Sequence, residues 1–242
     1  MSARDRILAR LTAHQPLRPP PLPDLDGHYA PRALDESAAA RLARFRTNIE
    51  GSHAEVHVTD STAWPALLAR LCRGKGVTSL IYGAATRASR HLTAADFAGT
   101  ALRPWTGQVE DLKADLFHHC DAGFTQALGA IADTGTLILW PSPAEPRTLS
   151  LVPPIHFVLL DAATIRPTLF DALRTEPWTD GLPTNALLIS GPSKTADIQQ
   201  TLAYGAHGPK ELIVLVIDAD EDRRVCTAYP TGPSIESVGD VP

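Results

Sequence analysis

The chain has 242 residues, of which 44% are hydrophobic and 20% are charged, and its formal net charge at pH 7 is −5. This composition is typical of a globular protein, and the acidic balance disfavours nucleic-acid binding, which usually requires a basic surface. No stretch approaches the roughly 18 apolar residues that a membrane-spanning helix requires. Residues 1–6 alternate in charge and lack the apolar core of a signal peptide, so we predict a cytoplasmic protein.

The three cysteines, Cys72, Cys120 and Cys226, are widely spaced, and no two of them form a C-x-x-C pair. A zinc ribbon or an iron–sulfur cluster ligated by this chain alone is therefore disfavoured. His118 and His119 precede Cys120, but adjacent residues of an extended segment point to opposite faces. We predict no metal site and no cofactor in this chain.

The N-terminal 34 residues are predicted to form a helix followed by an arm. Ile7, Leu8 and Leu11 have helical spacing within residues 3–13, and residues 15–32 are rich in proline. The arm fits a disordered segment or, alternatively, a segment that docks on a partner or exchanges within a dimer. Residues 35–242 are predicted to form one domain.

Apolar periodicity in that domain alternates between the helical and the extended type. Helices are predicted at residues 35–48, 63–73 and 164–174, with a short turn or helix at 127–132; residues 84–112 stay unassigned. Strands are predicted at residues 54–58, 77–82, 121–126, 136–140, 155–160, 186–189 and 212–217, and a proline-rich loop at 141–154. This alternation predicts an α/β fold with a mostly parallel sheet and helices on both faces.

The segment that follows the strand at 186–189 reads as a turn, Gly191-Pro-Ser193-Lys194-Thr195, leading into a helix. Free backbone N–H groups, a helix N-terminus and a lysine would favour an anion there, and Asp197 would lie in the first helical turn. Ligands of parallel sheets bind beyond the carboxyl ends of strands, where this turn would lie. A capped structural turn explains the same residues equally well.

Three further motifs offer polar groups to a ligand. Asp133-Thr134-Gly135-Thr136 fits either a structural Asx turn or a ligand-binding turn. Arg147 could clamp a carboxylate or phosphate, with Glu145 orienting it or acting as an acid or base, and His156 fits a structural or a titrating residue. A second Gly-Pro turn contains His207 and Gly208. We predict that Asp133, Arg147, Lys194 and His207 converge in one pocket.

Four motifs in order resemble the lactate-utilisation protein C family, which carries the LUD domain. They are residues 132–136, the run Glu145-x-Arg147-x-x-Ser150-Leu-x-Pro153-Pro-x-His156, residues 191–198, and Gly205-x-His207-Gly-Pro209. The resemblance covers about residues 45–217 and is strongest from Asp121 onward. It implies a fold similar to ribose-5-phosphate isomerase, glucosamine-6-phosphate deaminase and CoA-transferases.

The resemblance also implies a role in bacterial oxidation of L-lactate to pyruvate, together with partner proteins that carry iron–sulfur clusters. Three functions follow as alternatives: an accessory subunit that binds an anionic ligand or a partner, a stand-alone enzyme on a phosphorylated or CoA-linked metabolite, or a non-catalytic metabolite sensor. Candidate catalytic residues are Asp133, Glu145 and His207. Candidate ligand-binding residues are Thr134, Gly135, Thr136, Arg147, Gly191, Ser193, Lys194, Thr195 and Gly208. Whether the chain is catalytic and how it oligomerises do not follow from the sequence.

Overall fold

The structure is a computed structural model that describes residues 2–13, 21–29, 35–106, 116–175, 178, 182–196, 202–205 and 207–218. The chain divides into two compact units, residues 1–34 and residues 35–242. The first unit contains α1 (Ala3–Ala13), as predicted, and α2 (Leu25–Tyr29), and neither helix has a buried residue. Residues 15–20 and 30–32 of the predicted proline-rich arm lie outside the described residues, as do Asp197 and Cys226.

The second unit contains two larger β-sheets and four helices among the described residues. The helices are α3 (Ala38–Gly51), α4 (Trp64–Gly74), α5 (Thr148–Leu151) and α6 (Leu169–Leu173), with short 3-10 segments at Ala88–His91 and Ala162–Thr164. The strands are β1 (Glu55–Thr59), β2 (Ser79–Gly83), β3 (Ala101–Trp105), β4 (Ala122–Gln126), β5 (Gly129–Ile131), β6 (Thr136–Leu139), β7 (Ile155–Asp161), β8 (Ile165–Arg166), β9 (Leu187–Ile189), β10 (Lys194–Ala196), β11 (Leu202–Tyr204) and β12 (Glu211–Ile217).

The main sheet has six parallel strands in the order β1-β12-β7-β4-β2-β3. Its interior strand β12 is buried from Leu212 to Val216, as a strand covered on both faces should be. One face packs on α4, whose Trp64, Leu68 and Cys72 recur at helical spacing and are buried. The other face packs on α3 and on a second sheet. The predicted α/β fold, with a mostly parallel sheet and helices on both faces, is confirmed.

The second sheet, in the order β8-β5-β6-β9, differs from the prediction. The strand predicted at 186–189 pairs antiparallel with β6 instead of entering the main sheet, and its Leu188 is exposed. A short apolar run does not distinguish a parallel strand of the main sheet from an antiparallel strand of a second sheet, because both kinds of strand bury at least one face. The region 127–132, predicted as a turn or helix, contains β5, and the helix predicted at 164–174 begins only at Leu169, after β8.

The prediction of a helix directly after the Gly191 turn is wrong at the first residues of that helix. Lys194–Ala196 is β10, which pairs antiparallel with β11. The turn therefore connects a strand of the second sheet to another short strand. It lies neither at a helix N-terminus nor at the carboxyl end of a parallel strand, and these were the two features that favoured an anion there. None of the helices that the structure describes is long and apolar enough to cross a membrane.

Candidate functional site

A small cleft lies where the loop before α5 crosses the carboxyl ends of β2 and β4. Its cavity volume is about 10 Å³, room for about one water molecule. The cleft is lined by Thr125, Leu139, Trp140, Pro141, Glu145, Pro146, Arg147 and Ser150. Ligand sites of open parallel sheets occur at this edge. The cleft is therefore the site that the topology favours.

Two glycines allow the loop and α5 to approach the sheet. A Cβ atom on Gly83, the last residue of β2, would lie 2.7 Å from the carbonyl oxygen of Ala144. A Cβ on Gly123 of β4 would lie 2.0 Å from the carbonyl oxygen of Leu149 in α5. Both distances are shorter than van der Waals contact, so the missing side chains are what places Glu145 and Ser150 against the sheet.

Glu145 has the most unusual environment in the cleft. Its Oε1 accepts a hydrogen bond from the backbone N–H of Gln126 at 3.0 Å. Its Oε2 is buried and has no hydrogen-bond partner. Burial raises the pKa of this carboxyl to about 7, and the Gln126 N–H opposes the shift only in part. Near neutral pH, Glu145 thus exchanges between a neutral acid and a carboxylate.

Thr125 connects the cleft to a histidine in the core. Its Oγ1 lies 2.8 Å from Nε2 of His156, which is fully buried in β7. Burial lowers the pKa of His156 to about 3, so this imidazole is neutral at physiological pH. Nδ1 of His156 is buried without a hydrogen-bond partner. The environment of His156 therefore opposes titration near neutral pH, and its ring orients the Thr125 hydroxyl.

Arg147 and Ser150 complete the polar lining. Arg147 is exposed, and its backbone carbonyl accepts a hydrogen bond of 2.9 Å from the Ser150 hydroxyl, which fixes the turn into α5. Trp140 on the opposite wall packs edge-to-face against Trp178, with 4.9 Å between ring centroids. The cleft thus combines one cation, one buried carboxyl and one oriented hydroxyl with an aromatic wall. Such a set places a charge that attracts anions beside a carboxyl group that can gain or lose a proton.

The Asp133–Thr136 turn, in contrast, is held by contacts within the protein. Asn48 of α3 donates hydrogen bonds to the carbonyl oxygens of Ala132 and Asp133 at 2.8 and 3.1 Å. Gly135 has φ of +59°, and a Cβ there would lie 2.4 Å from the backbone nitrogen of Ile49. The glycine is therefore required for packing against α3. These contacts favour the structural interpretation of the turn.

Threonine hydroxyls join this turn to β9. Thr136 Oγ1 lies 2.7 Å from Thr134 Oγ1 and 2.7 Å from Ser190 Oγ, and Thr136 is buried. We expect Thr136→Val to lower the free energy of unfolding by about 1–2 kcal/mol, because two hydroxyls lose a buried partner. Urea denaturation measures this change, with exposed Thr47→Val as the control; an unchanged midpoint would show that the hydroxyl network does not hold the turn.

The two Gly-Pro turns contact each other and the end of α5. The Ser193 N–H donates to the carbonyl oxygen of Pro209 at 2.8 Å, and the Gly205 N–H donates to the Ser193 carbonyl oxygen at 2.9 Å. A Cβ on Gly208 would lie 3.1 Å from the Ser193 Cβ and 3.7 Å from the Leu151 carbonyl oxygen. These turns precede β12, at the amino edge of the main sheet.

The side chains of Lys194 and His207 are exposed, as is that of Asp133, which lies 3.3 Å from Arg44. Gly191 packs on Ser52, since a Cβ there would lie 2.6 Å from the Ser52 carbonyl oxygen. Within the described part of the chain, no hydrogen bond or ion pair joins any two of Asp133, Arg147, Lys194 and His207. Of these four residues, only Arg147 lines the cleft, and their convergence in one pocket stays a prediction.

Sequence reasoning found Glu145 and Arg147 but missed Thr125 and Ser150 as cleft residues. Thr125 lies one residue before the end of a strand that was predicted, so its position at a carboxyl end of the sheet was a usable signal. The contact between Thr125 and His156 had no such signal in the sequence. It depends on the parallel register of β4 and β7, in which Thr125 lies opposite Val158.

Known proteins agree with this architecture. The LUD domain family model matches residues 42–217. An uncharacterized protein of Neisseria meningitidis serogroup B is 39% identical over 224 residues, which cover 91% of this chain and 95% of that protein. Lactate utilization protein C 1 of Bacillus mycoides is 27% identical over 186 residues, covering 73% of this chain and 79% of the relative. Lactate utilization protein C of Exiguobacterium is 29% identical over 117 residues, about half of each chain.

A solved structure supports the fold. The crystal structure of a DUF162 family protein from Deinococcus radiodurans superposes with a TM-score of 0.54 at 22% sequence identity, covering 76% of this chain and 99% of that chain. This similarity concerns the fold alone. The family match spans most of the chain and includes both sheets and the cleft. The chain therefore belongs to the LUD domain family.

Proposed function

We propose that this protein is a component of a bacterial lactate utilisation system that acts in the cytoplasm. The observation that carries the proposal is the similarity to Lactate utilization protein C 1 of Bacillus mycoides, because it extends over 79% of that relative rather than over one motif. Other relatives with the name Lactate utilization protein C align over about half of their length. The LUD family match supports the same assignment.

Deletion of the gene in its native host tests this role. We expect the deletion strain to lose growth on L-lactate as the carbon source while its growth on glucose is unchanged. A plasmid copy of the full chain should restore growth. Unchanged growth of the deletion strain on L-lactate would contradict the proposal.

The partners that we propose are iron–sulfur proteins, and the clusters would reside on those partners. The wide spacing of the cysteines supports clusters on the partners. Cys72 supports it too, because this thiol is buried and burial raises its pKa to about 12. A buried thiol of that kind is a poor metal ligand. Affinity purification of the chain expressed from its own locus should recover proteins with iron–sulfur absorbance. Recovery of the chain alone would contradict the partnership.

The ligand that we propose is a small anion bound in the cleft beside Arg147. A guanidinium at the rim of a cleft that contains a neutral carboxyl leaves a local positive charge, which favours an anion. Lys194 does not line the cleft, so the proposed site rests on Arg147 rather than on the Gly191 turn.

A second candidate function is a stand-alone enzyme that acts on a phosphorylated or CoA-linked metabolite. The observation that favours it is the buried Glu145 carboxyl, whose pKa of about 7 suits a general acid or base. Incubation of the purified chain with CoA esters and phosphosugars, followed by mass spectrometry, tests it. Turnover that disappears in Glu145→Gln would support the enzyme, and unchanged substrates would exclude it for these classes.

A further inference from the structure

We propose that the protein forms a symmetric dimer in which β9 of one copy pairs antiparallel with β9 of a second copy. The contact surface is the outer edge of the second sheet. β9 (Leu187–Ile189) is the last strand in the order β8-β5-β6-β9, and no strand that the structure describes lies beyond it. The inference goes beyond the proposed role in lactate utilisation and does not depend on it.

The other three edges of the two larger sheets are protected against pairing. Exposed edges carry backbone N–H and C=O groups that attract further strands, and charged side chains, proline or a covering group prevent this. On β1, the Glu55 carboxylate lies 2.8 Å from Nζ of Lys75. β3 contains Pro104, which has no N–H to donate. On β8, Arg41 donates a hydrogen bond of 3.4 Å to the carbonyl oxygen of Ile165.

The edge at β9 has neither charge nor proline to protect it. Residues 181–193 contain no charged residue, and the strand itself consists of two leucines and one isoleucine. Leu188, in the middle of the strand, has 51% of its surface exposed. An apolar edge of this kind is a template for another strand. We therefore infer that a strand covers it in the working assembly.

Both faces of β9 would gain from an added strand. Leu188 pairs with Ile138 of β6, which packs with Ala172 of α6 on the outer face of the second sheet. Leu187 and Ile189 point to the opposite face, where they pack on the main sheet and stay partly exposed. A neighbouring strand with apolar side chains on both faces would therefore extend both layers of packing.

A second copy of this chain supplies a strand with those properties. Each copy has a net charge of −5, so two copies repel each other least where the contact surfaces are uncharged, as at β9. A twofold axis through Leu188 places this residue opposite itself and Leu187 opposite Ile189. All the facing pairs are then apolar, and no like charges meet. This self-complementarity favours a second copy over an unrelated protein.

Sedimentation velocity of the full chain over about a hundredfold range of concentration tests the proposal, because dimer formation follows mass action. We expect the mass to rise from that of one chain, 26.0 kDa, towards twice this value as the concentration increases. The mass of one chain throughout the range would overturn the second copy as the occupant of the edge and favour a strand from another protein.

Leu188→Lys puts the same charge on both copies at the centre of the contact and should weaken dimer formation at least about tenfold. Leu188→Glu should do the same, whereas an equimolar mixture of the two variants should recover the dimer, because opposite charges then face each other. The matched control is Val58→Lys on β1, where Val58 is 47% exposed, and it should associate like the wild type. A dimer that Leu188→Lys leaves intact, or a mixture that stays monomeric, would overturn the pairing.

A disulfide cross-link tests the register even where a charged variant fails to fold. Leu188→Cys is made in a Cys226→Ser background, in which the remaining native cysteines, Cys72 and Cys120, are buried. Directly opposite Cβ atoms of antiparallel strands lie about 4.5–5.5 Å apart, so a small adjustment allows a disulfide. Mild oxidation should yield a covalent dimer that a reductant separates, and Val58→Cys in the same background should stay uncrosslinked. Absence of a cross-link at position 188 would overturn the proposed register.

Discussion

Glu145→Gln is expected to stabilise the protein at pH 8 by about 3 kcal/mol and to leave its stability at pH 4 nearly unchanged. The pKa of Glu145 is raised by burial from 4.5 in the unfolded chain to about 7 in the folded protein. The unfolded state therefore loses its proton first as the pH rises, and folding becomes less favourable between pH 4.5 and 7. At 1.36 kcal/mol per pKa unit, the stability lost is about 3 kcal/mol. Glutamine cannot ionise and avoids this loss.

Urea denaturation of both proteins at pH 4, 6 and 8 measures the effect. Exposed Glu50→Gln is the control and should change the free energy of unfolding by less than about 0.5 kcal/mol at each pH. A Glu145→Gln variant with the same difference from the wild type at pH 4 and pH 8 would show that Glu145 titrates normally. The raised pKa of Glu145 would then be wrong.

His156→Gln is expected to remove a second pH dependence of the stability, opposite in sign to that of Glu145. Burial lowers the pKa of His156 from 6.5 to about 3, so the unfolded chain binds a proton that the folded protein excludes. The stability due to the neutral histidine is fully present above pH 6.5 and falls as the pH drops, by about 5 kcal/mol at pH 3. Between pH 6.5 and 4.5 the loss is about 3 kcal/mol.

The variant is expected to be less stable than the wild type at pH 7, because Thr125 loses its partner. The quantity to compare is therefore the change of the unfolding free energy with pH. The difference in free energy between wild type and His156→Gln should shrink by about 3 kcal/mol from pH 6.5 to 4.5. Exposed His118→Gln is the control and should show no such change. A parallel pH dependence of the wild type and His156→Gln would contradict the buried neutral imidazole.

The two residues together set the pH range of the fold. Glu145 lowers stability as the pH rises from 4.5 to 7, and His156 lowers it as the pH falls from 6.5 to 3. Between about pH 4.5 and 6.5 the two slopes cancel. Glu145 therefore carries a cost in stability near neutral pH, and a buried group that is kept at such a cost is a candidate for function.

The sequence determined the main sheet because its strands carry their signal locally. Residues 212–217 form a continuous apolar run that only a strand covered on both faces would bury, and they form the interior strand β12. The spacing of Trp64, Leu68 and Cys72 likewise predicted α4 and the face that it buries. Alternation of such elements was sufficient to predict a parallel sheet, since parallel strands require crossover connections.

The second sheet was decided by tertiary structure. Residues 187–189 and 129–131 are only three residues long, and apolar runs of that length fit a parallel strand, an antiparallel strand or a turn of helix equally well. The pairing of residues 187–189 with β6, and of residues 129–131 with β8, depends on contacts between distant parts of the chain. The same holds for Lys194–Ala196, where pairing with Leu202–Tyr204 prevails over the helix that Ser193 and Asp197 had suggested.

The site divides in the same way. The sequence by itself determined that Arg147 and Glu145 lie on a loop that follows a strand and carries polar chemistry, because their residue types and neighbouring prolines are local properties. Only the tertiary structure decided that this loop covers the ends of β2 and β4, that Oε2 of Glu145 is isolated from water, and that Thr125 meets His156. The physical reason is that burial and pKa are set by atoms from distant segments, which the local sequence does not specify.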